Sequence, residues 1–329
     1  MKLLFWSRSL RSLLLAAAFV AAFPAMAPAQ NYPQQPIKII IPFAAGGGGD
    51  VVGRVIGEQF SELAGQPVVI ENVAGAGGTL GTARAAKSPP DGYTLFIGTP
   101  STHGTNVAVY AKLPYDAIKN FEPVGLIATS PLMLIAAPQL EARTAGDLIK
   151  LARDKPGELA YGSYGTGSIN HLAVELLQSM TGIKVNHIPY RGSAPAMTDL
   201  IANRIQFTID GPAALPFIRA GTVKLLAVGS SKRWGVFPDA PTIAESGIPG
   251  YESLTWFGLF APAGTPKSVV AFLNGKLNTA LKSDRSKETL AKLGVDPAGG
   301  APEVLSRQVE TEVAKWVKVA TAKNIKIEP

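Results

Sequence analysis

Residues 37–50 constrain this chain more than any other stretch: Ile37-Lys38-Ile39-Ile40-Ile41-Pro42-Phe43-Ala44-Ala45-Gly46-Gly47-Gly48-Gly49-Asp50. The β-branched run from Ile37 to Ile41 suits a buried strand. Pro42 has no N–H and ends it. Four glycines then precede Asp50 and an apolar-periodic segment that runs to Leu63. Asp50 is placed to cap that helix. A strand, a bare loop and a helix N-terminus in succession can turn N–H groups onto an anion. A plain flexible turn has the same composition. The loop fits neither the Gly-x-x-x-x-Gly-Lys-Ser/Thr phosphate loop nor the Gly-x-Gly-x-x-Gly dinucleotide fingerprint, which points away from a nucleotide.

The chain begins with the features of a secretory signal: basic Lys2, Arg8 and Arg11, then the apolar run Leu13–Ala22, too short to span a bilayer. Ala27-Pro28-Ala29 offers a cleavage site that starts the mature chain at Gln30, with Ala25-Met26-Ala27 as the competing site. Residues 1–29 are therefore read as a signal peptide and the destination as the periplasm. The sequence contains no cysteine, so disulfides are excluded, which in an exported chain argues against a small stapled fold. The 300 residues that remain can bury most of their unfolded surface and stand near the size at which one core splits into two. The signal accounts for three of the seven net positive charges, which leaves +4 on the mature chain. The charges are scattered, with no basic tract, so nucleic acid is not an expected partner; a small anion is.

Strand and helix patterns alternate through the rest of the chain, which predicts an α/β protein with mostly parallel sheets. Two strand–glycine loop–helix units stand out, at 37–63 and 159–180. One such unit in each of two domains would set two anion-cradling loops across a cleft, at the carboxyl ends of strands.

Sequence motifs for catalysis are sparse. His103, His171 and His187 lack metal-ligand spacing, and neither a metal nor a cofactor is expected. Tyr161-Gly162-Ser163-Tyr164-Gly165 departs from the Gly-x-Ser-x-Gly elbow at its first position. His171 and His103 are each open to two readings, ligand contact or ordinary polar residue, and His187 reads as structural. Tyr190-Arg191 follows a strand and could offer an aromatic wall and a guanidinium to a carboxylate; a surface Arg stacked on Tyr is the alternative. Asp210 closes the next strand, where it could meet a ligand or cap the following turn. Trp256-Phe257-Gly258 reads as core.

Taken together, several segments resemble the tripartite tricarboxylate transporter substrate-binding family, the Bug receptors. They are Pro42–Asp50, Glu71-Asn72, Gly75–Gly78, Pro90–Leu95, Gly165–Ser168 with His171, Tyr190–Gly192 with Pro195-Ala196, and Trp256–Gly258 with Ala261–Pro266. The resemblance covers essentially the whole mature chain. It implies a two-domain periplasmic binding-protein fold, a Venus flytrap with two crossing strands. Domain 1 would comprise residues 30–129 and 252–329, and domain 2 residues 130–251. It also implies a monomeric, non-enzymatic receptor that takes a small organic acid to the subunits of a membrane permease. Carried onto this chain, the ligand-binding residues are Phe43, Ala45, Gly46, Gly47, Gly48, Gly49 and Asp50 on the first loop and Gly165, Thr166, Gly167, Ser168 and His171 on the second. Ser101, Thr102, Tyr190, Arg191 and Asp210 would line the rest. Backbone N–H groups of the two loops are expected to supply most of the hydrogen bonds. Two other functions remain open: an exported α/β hydrolase or esterase, and a ligand-presenting partner of a membrane sensor.

Overall fold

The structure, a computed structural model, describes residues 32–323, 325 and 326. The expected signal peptide lies outside these residues. Among those described, no helix is long and apolar enough to cross a membrane.

Two mixed sheets with helices packed against them organise the chain. The first has the order β11-β4-β10-β3-β1-β2, with β1 Ile37–Ile41, β2 Val68–Asn72, β3 Thr94–Gly98, β4 Phe121–Pro131, β10 Leu254–Pro262 and β11 Asp296–Pro297. The second has the order β7-β6-β8-β5-β9, with β5 Met133–Ala136, β6 Ala160–Ser163, β7 Asn186–Pro189, β8 Phe207–Asp210 and β9 Lys224–Val228. The isoleucine run pairs in parallel on both sides, Ile39 lying opposite Ile70 and Leu95. Such double pairing favours a continuous β-branched sequence over an alternating one.

Parallel pairing holds where a helix joins the strands, as in β1–β2, β1–β3, β6–β7 and β6–β8. It does not hold for the strands that link the sheets. β10 runs antiparallel to β3 and β4, and β5 runs antiparallel to β8 and β9. The expectation of mostly parallel sheets is corrected here. A strand that enters from the other sheet arrives without a crossover helix, so nothing forces it to run with its neighbours.

The chain passes from β4 to β5 through Leu132 and comes back into β10 through Ser253. These two points are joined to each other and to Gly229. Leu132 N–H donates to Ser253 O at 3.1 Å, Gly229 N–H to Leu132 O at 2.6 Å, and Ser253 N–H to Gly229 O at 2.8 Å. A Cβ at Gly229 would lie 2.3 Å from Ser253 Oγ, so the two linking segments touch with no room for a side chain.

The loops expected at strand ends do lead into helices. In chain order these are α1 Gly48–Ala64, α2 Thr79–Ala86, α3 Asn106–Val109, α4 Ala145–Asp154, α5 Ile169–Thr181, α6 Ser193–Ile201, α7 Leu215–Arg219, α8 Lys267–Lys282, α9 Asp284–Lys292 and α10 Pro302–Lys323. Thr144 and Asp147 form the reciprocal capping box that their spacing indicates. Pro266 is the N-cap of α8.

Helix α10 packs along β4 and residues 101–109. Its Leu305 and Val309 belong to the core with Ile40, Phe96, Trp256 and Phe260. Farther along, Trp316 and Ala320 join the core that holds Leu134, Tyr161, Leu172 and Phe207. The buried Glu312 stands between the two cores and accepts from both indoles, Trp256 Nε1 at 3.1 Å and Trp316 Nε1 at 2.5 Å. Replacing Glu312 by Ala leaves two buried donors without an acceptor, at about 1–3 kcal/mol each. Glu312→Ala is expected to lower unfolding stability by roughly 2–5 kcal/mol in a urea titration; a change below about 0.5 kcal/mol would remove Glu312 from this role.

Candidate ligand-binding cleft

Helix α1 begins on the glycine run. Its N-cap is Gly47, which contributes no side-chain hydrogen bond. The first N–H groups of a helix have no partner within it. Gly47 N–H donates to Ala44 O, and the N–H groups of Asp50 and Val51 donate to Gly47 O. Between them, Gly48 and Gly49 N–H meet no acceptor among the described residues. Helices α5 and α6 start in a similar way. Ser168 caps α5 by accepting from His171 N–H, and Ile169 N–H donates to Ser101 Oγ at 2.9 Å, but Asn170 N–H has no acceptor among the described residues. Gly192, the N-cap of α6, supplies no side chain, and Ser193 N–H is likewise unpaired among them.

These helix starts face one narrow cleft of about 420 Å³. Gly47, Gly48, Gly49 and Gly211 contribute bare backbone to it. Phe43, Leu132, Ile169, Pro212 and Phe257 form its apolar surface, and Thr99, Ser101, Tyr164, Asn170, Ser193 and Thr255 bring hydroxyl and amide groups. Among the described residues, no lysine or arginine lines it.

The walls are held together by contacts between the segments that carry the two sheets. Ala44 N–H donates to Arg191 O at 3.2 Å. Thr105 Oγ1 donates to Gly167 O at 2.6 Å and Tyr110 Oη to Thr166 O at 2.9 Å. The rings of Phe43 and Tyr164 meet edge-on, with centroids 5.7 Å apart. At Gly77, which has φ +60°, a Cβ would stand 2.3 Å from Thr166 O. Glycine is required there for its conformation and for the close approach.

The structure divides the residues singled out by sequence. Phe43, Gly47, Gly48, Gly49 and Ser101 line the cleft; Ala45, Gly46 and Asp50 do not. Asp50 does not cap α1. It is the third helical residue, and its carboxylate turns back to accept from Gly46 N–H at 2.9 Å and Arg54 Nε at 3.0 Å, with Arg54 Nη2 3.0 Å from the other oxygen. Burial pushes the Asp50 pKa up, but the hydrogen bonds from Arg54, Gly46 and Asn72 and the charge of Arg54 outweigh it, so the net shift is downward. Asp50 thus braces the loop as a paired anion.

The second loop spends its polar groups on itself and on the facing wall. Gly165 N–H donates to Ser163 Oγ at 3.1 Å, Gly167 N–H to His171 Nδ1 at 3.2 Å, and Ser168 N–H to Gly165 O at 3.1 Å. Gly165, Thr166, Gly167, Ser168 and His171 are accordingly absent from the lining. Of the lining N–H groups that meet no acceptor among the described residues, Gly48 and Gly49 fall within the expected range 46–50, whereas Asn170 and Ser193 fall outside both 46–50 and 165–168. Thr102 is fully buried against Thr99 and His103. The Tyr190 hydroxyl donates to Asp199 at 2.8 Å, and Arg191 is exposed, so neither side chain reaches the cleft. Asp210 lies just behind the wall. Tyr164 Oη, Ser193 Oγ (2.7 Å) and Gly211 N–H (2.6 Å) all donate to it.

Sequence reading missed Thr99, Leu132, Tyr164, Ile169, Asn170, Ser193, Gly211, Pro212 and Thr255. It assigned Phe257 to the core along with Trp256. Alternation along β10 could have separated those two, since adjacent strand residues face opposite ways; Trp256 is indeed buried beside Glu312. Asn170 and Ser193 each stand one or two residues into a helix that follows a glycine, a signal that could have drawn attention to them.

The three histidines stack on other rings. His103 is fully buried and stacks on Phe260 at 4.2 Å. His171 stacks on His187 at 4.2 Å, and His187 Nε2 lies 2.6 Å from Ser163 Oγ. Ser163 is fully buried and outside the lining, so this serine–histidine pair has no access to a substrate. Among the described residues, no cluster of His, Asp or Glu could hold a metal ion.

Residues 52–325 match the family model described as "Tripartite tricarboxylate transporter family receptor". The chain belongs to this family. It is 36% identical over 321 residues to Protein BugT of Bordetella pertussis, covering 96% of this chain and 98% of the relative. Among solved structures it is similar to Rpa4515 of R. palustris with adipate, with a TM-score of 0.88, 41% identity and coverage of 91% of this chain and all of that one. It is also similar to MatC from Rhodopseudomonas palustris with bound malate, at a TM-score of 0.85 and 35% identity, covering 88% and 99% of the two chains. The fold is that of the two-domain periplasmic binding proteins, and receptors of this family serve tripartite tricarboxylate transporters.

Burial lowers the pKa of His103 and His171 to about 3, helped at His171 by the charge of His187, and lowers that of His187 to about 4. In the unfolded chain these rings take up protons near pH 6.5. Below that pH the unfolded state binds protons that the folded state refuses, so stability falls as pH falls. A fully buried histidine of this kind removes about 2 kcal/mol between pH 7 and 5. Glu175 and Asp210, whose carboxyls burial pushes up, act in the opposite direction but are outnumbered. The urea midpoint is expected to drop steadily from pH 7 to 5; a flat profile would contradict the neutral, buried assignment.

Proposed function

We propose that this chain is a periplasmic receptor that closes on a small organic carboxylate and delivers it to the permease subunits of a tripartite transporter. The observation that carries this reading is the set of unpaired N–H groups at Gly48, Gly49, Asn170 and Ser193 around a mostly apolar cleft without a cationic side chain. Adipate in Rpa4515 and malate in MatC are ligands of the same class. Residues 30–129 with 252–329, and residues 130–251, act as two jaws hinged where β4 and β10 cross. The protein works as a monomer, is exported by removal of residues 1–29, and catalyses no reaction on its ligand.

Phe43, Gly48, Gly49 and Ser101 meet the ligand directly. Gly46, Asp50, Thr102, Gly165–Ser168, His171 and Asp210 hold the lining in place. A helix N-terminus contributes about 0.3–1 kcal/mol to an anion, ~2 when partly buried, whereas micromolar affinity needs roughly 8 kcal/mol. Hydrogen bonds to a charged acceptor, at about 1.5–3 kcal/mol each, supply most of the difference, with apolar burial against Phe43 and Phe257 adding to them.

A thermal-shift screen over mono-, di- and tricarboxylates, sugars and nucleotides tests the ligand class. At least one acid is expected to raise the melting temperature; stabilisation by a sugar or nucleotide and by no acid would defeat the proposal.

Gly48→Pro tests the main-chain cradle. Gly48 is the first residue of α1, a position that tolerates proline, and the extended backbone of Gly47 (φ −79°, ψ 168°) is what a following proline requires. The substitution removes one N–H and places atoms against Phe257, whose Cζ lies 3.2 Å from a Cβ built there. Calorimetric titration should show affinity for the stabilising acid reduced at least tenfold (~1.4 kcal/mol) in a folded protein. Arg191→Ala should change it by less than about threefold (~0.65 kcal/mol). The reverse pattern would indicate a side-chain ion pair instead of a backbone cradle.

A further inference from the structure

Asn170 is completely buried and lines the cleft. Its Nδ2 donates to Ile209 O at 2.6 Å, which fixes the amide: the flipped orientation would set two carbonyl oxygens against each other. Asn170 Oδ1 is therefore committed as an acceptor, and no donor reaches it among the described residues. Thr99 is in a similar position on the opposite wall. It lines the cleft, is almost fully buried, and its Oγ1 has no partner among the described residues. The remaining hydroxyls on the Asn170 side do not compensate. Tyr164 and Ser193 both donate to Asp210, so what they have left to offer is lone pairs. Main-chain N–H groups in this cleft suit a carboxylate, whereas the Asn170 amide presents an obligate acceptor; the Thr99 hydroxyl can donate or accept.

A simple alkane or arene carboxylate satisfies the N–H groups and leaves Asn170 Oδ1 unpaired. A buried acceptor left without a donor costs free energy on every binding event. A site built to hydrogen-bond a hydroxyl rejects the analogue without one far more strongly than an apolar pocket rejects an added group. Resting on the receptor function proposed above, we infer that the cleft selects organic acids that carry a hydroxyl or amino donor beside the carboxylate, with Asn170 Oδ1 as the selecting acceptor and Thr99 Oγ1 as its counterpart across the cleft.

Sets of acids that differ in one substituent test this: succinate, malate and aspartate, and glutarate, 2-hydroxyglutarate and glutamate. Calorimetric titration of the mature protein should show, in the set that binds best, a donor-bearing acid held at least tenfold tighter than the unsubstituted one. Asn170→Ala should bring that ratio to within about threefold of one (~0.65 kcal/mol), and Thr99→Val, which keeps the side-chain shape, should lower it. Because the ratio is taken within one variant, a general loss of stability does not imitate the effect. A ratio near one in the unmodified protein, as would follow if water supplies the donor to Asn170, overturns the inference and leaves the receptor reading intact. So does a ratio that both substitutions leave unchanged. Binding of no acid at all would remove both readings together.

Discussion

Helix α1 starts without a side-chain cap, and the chemistry of the cleft depends on that. An N-cap Ser, Thr, Asp or Asn would satisfy one of the first N–H groups internally. Gly47 cannot, and Asp50, the one carboxylate nearby, is turned back onto Gly46 and Arg54. The N–H groups of Gly48 and Gly49 are left for an outside acceptor. Asp50 also confers stiffness, since its bonds to Gly46 and Arg54 fix a run of four glycines that would otherwise be among the most disordered segments a chain can have. The Arg54 charge balances Asp50, so a second anion can approach the same helix end without an unpaired carboxylate opposing it.

Burial makes this arrangement dependent on closure. The walls meet through main-chain carbonyls and small residues, at Ala44–Arg191, Thr105–Gly167, Tyr110–Thr166 and Gly77–Thr166. Closing places unpaired N–H groups against Phe43, Phe257 and Leu132, an environment in which a lost hydrogen bond costs about 1–3 kcal/mol. On the receptor function proposed above, an anion that supplies the acceptor relieves that cost only in the closed form. It therefore favours closure by its differential affinity for the two states. The two linking segments are tied to each other at Leu132, Gly229 and Ser253.

Much of the architecture was legible in the sequence. The β-branched run at Ile37–Ile41, the glycine loops that lead into helices and the Thr144–Asp147 capping box all rest on local physics that survives in the fold. The direction of β5 and β10 was not legible, because it is set by which sheet the chain has come from. Site legibility followed the same division. Phe43, Gly48 and Gly49, which line the cleft, lie in a loop recognisable from sequence, whereas Ser101 entered through the family resemblance. Thr99, Tyr164, Asn170, Ser193 and Phe257 come together from four stretches of the chain, and only the early helical placement of Asn170 and Ser193 and the alternation at Phe257 offered a local hint. Nor could a sequence reveal that Gly46, Gly165 and Gly167 spend their N–H groups internally while Gly48 does not, since that depends on where Asp50, Ser163 and His171 turn.

On the proposed function, main-chain N–H groups at helix starts hold the ligand without a cationic side chain. Amide chemical shifts report this directly. In a titration of ¹⁵N-labelled protein with an acid that stabilises it, the amides of Gly48, Gly49, Asn170 and Ser193 should move downfield together and saturate at one ligand equivalent. The side-chain signals of Arg191 and Arg54 should stay in place. Saturating shifts confined to an arginine side chain, with the four amides unmoved, would contradict the account.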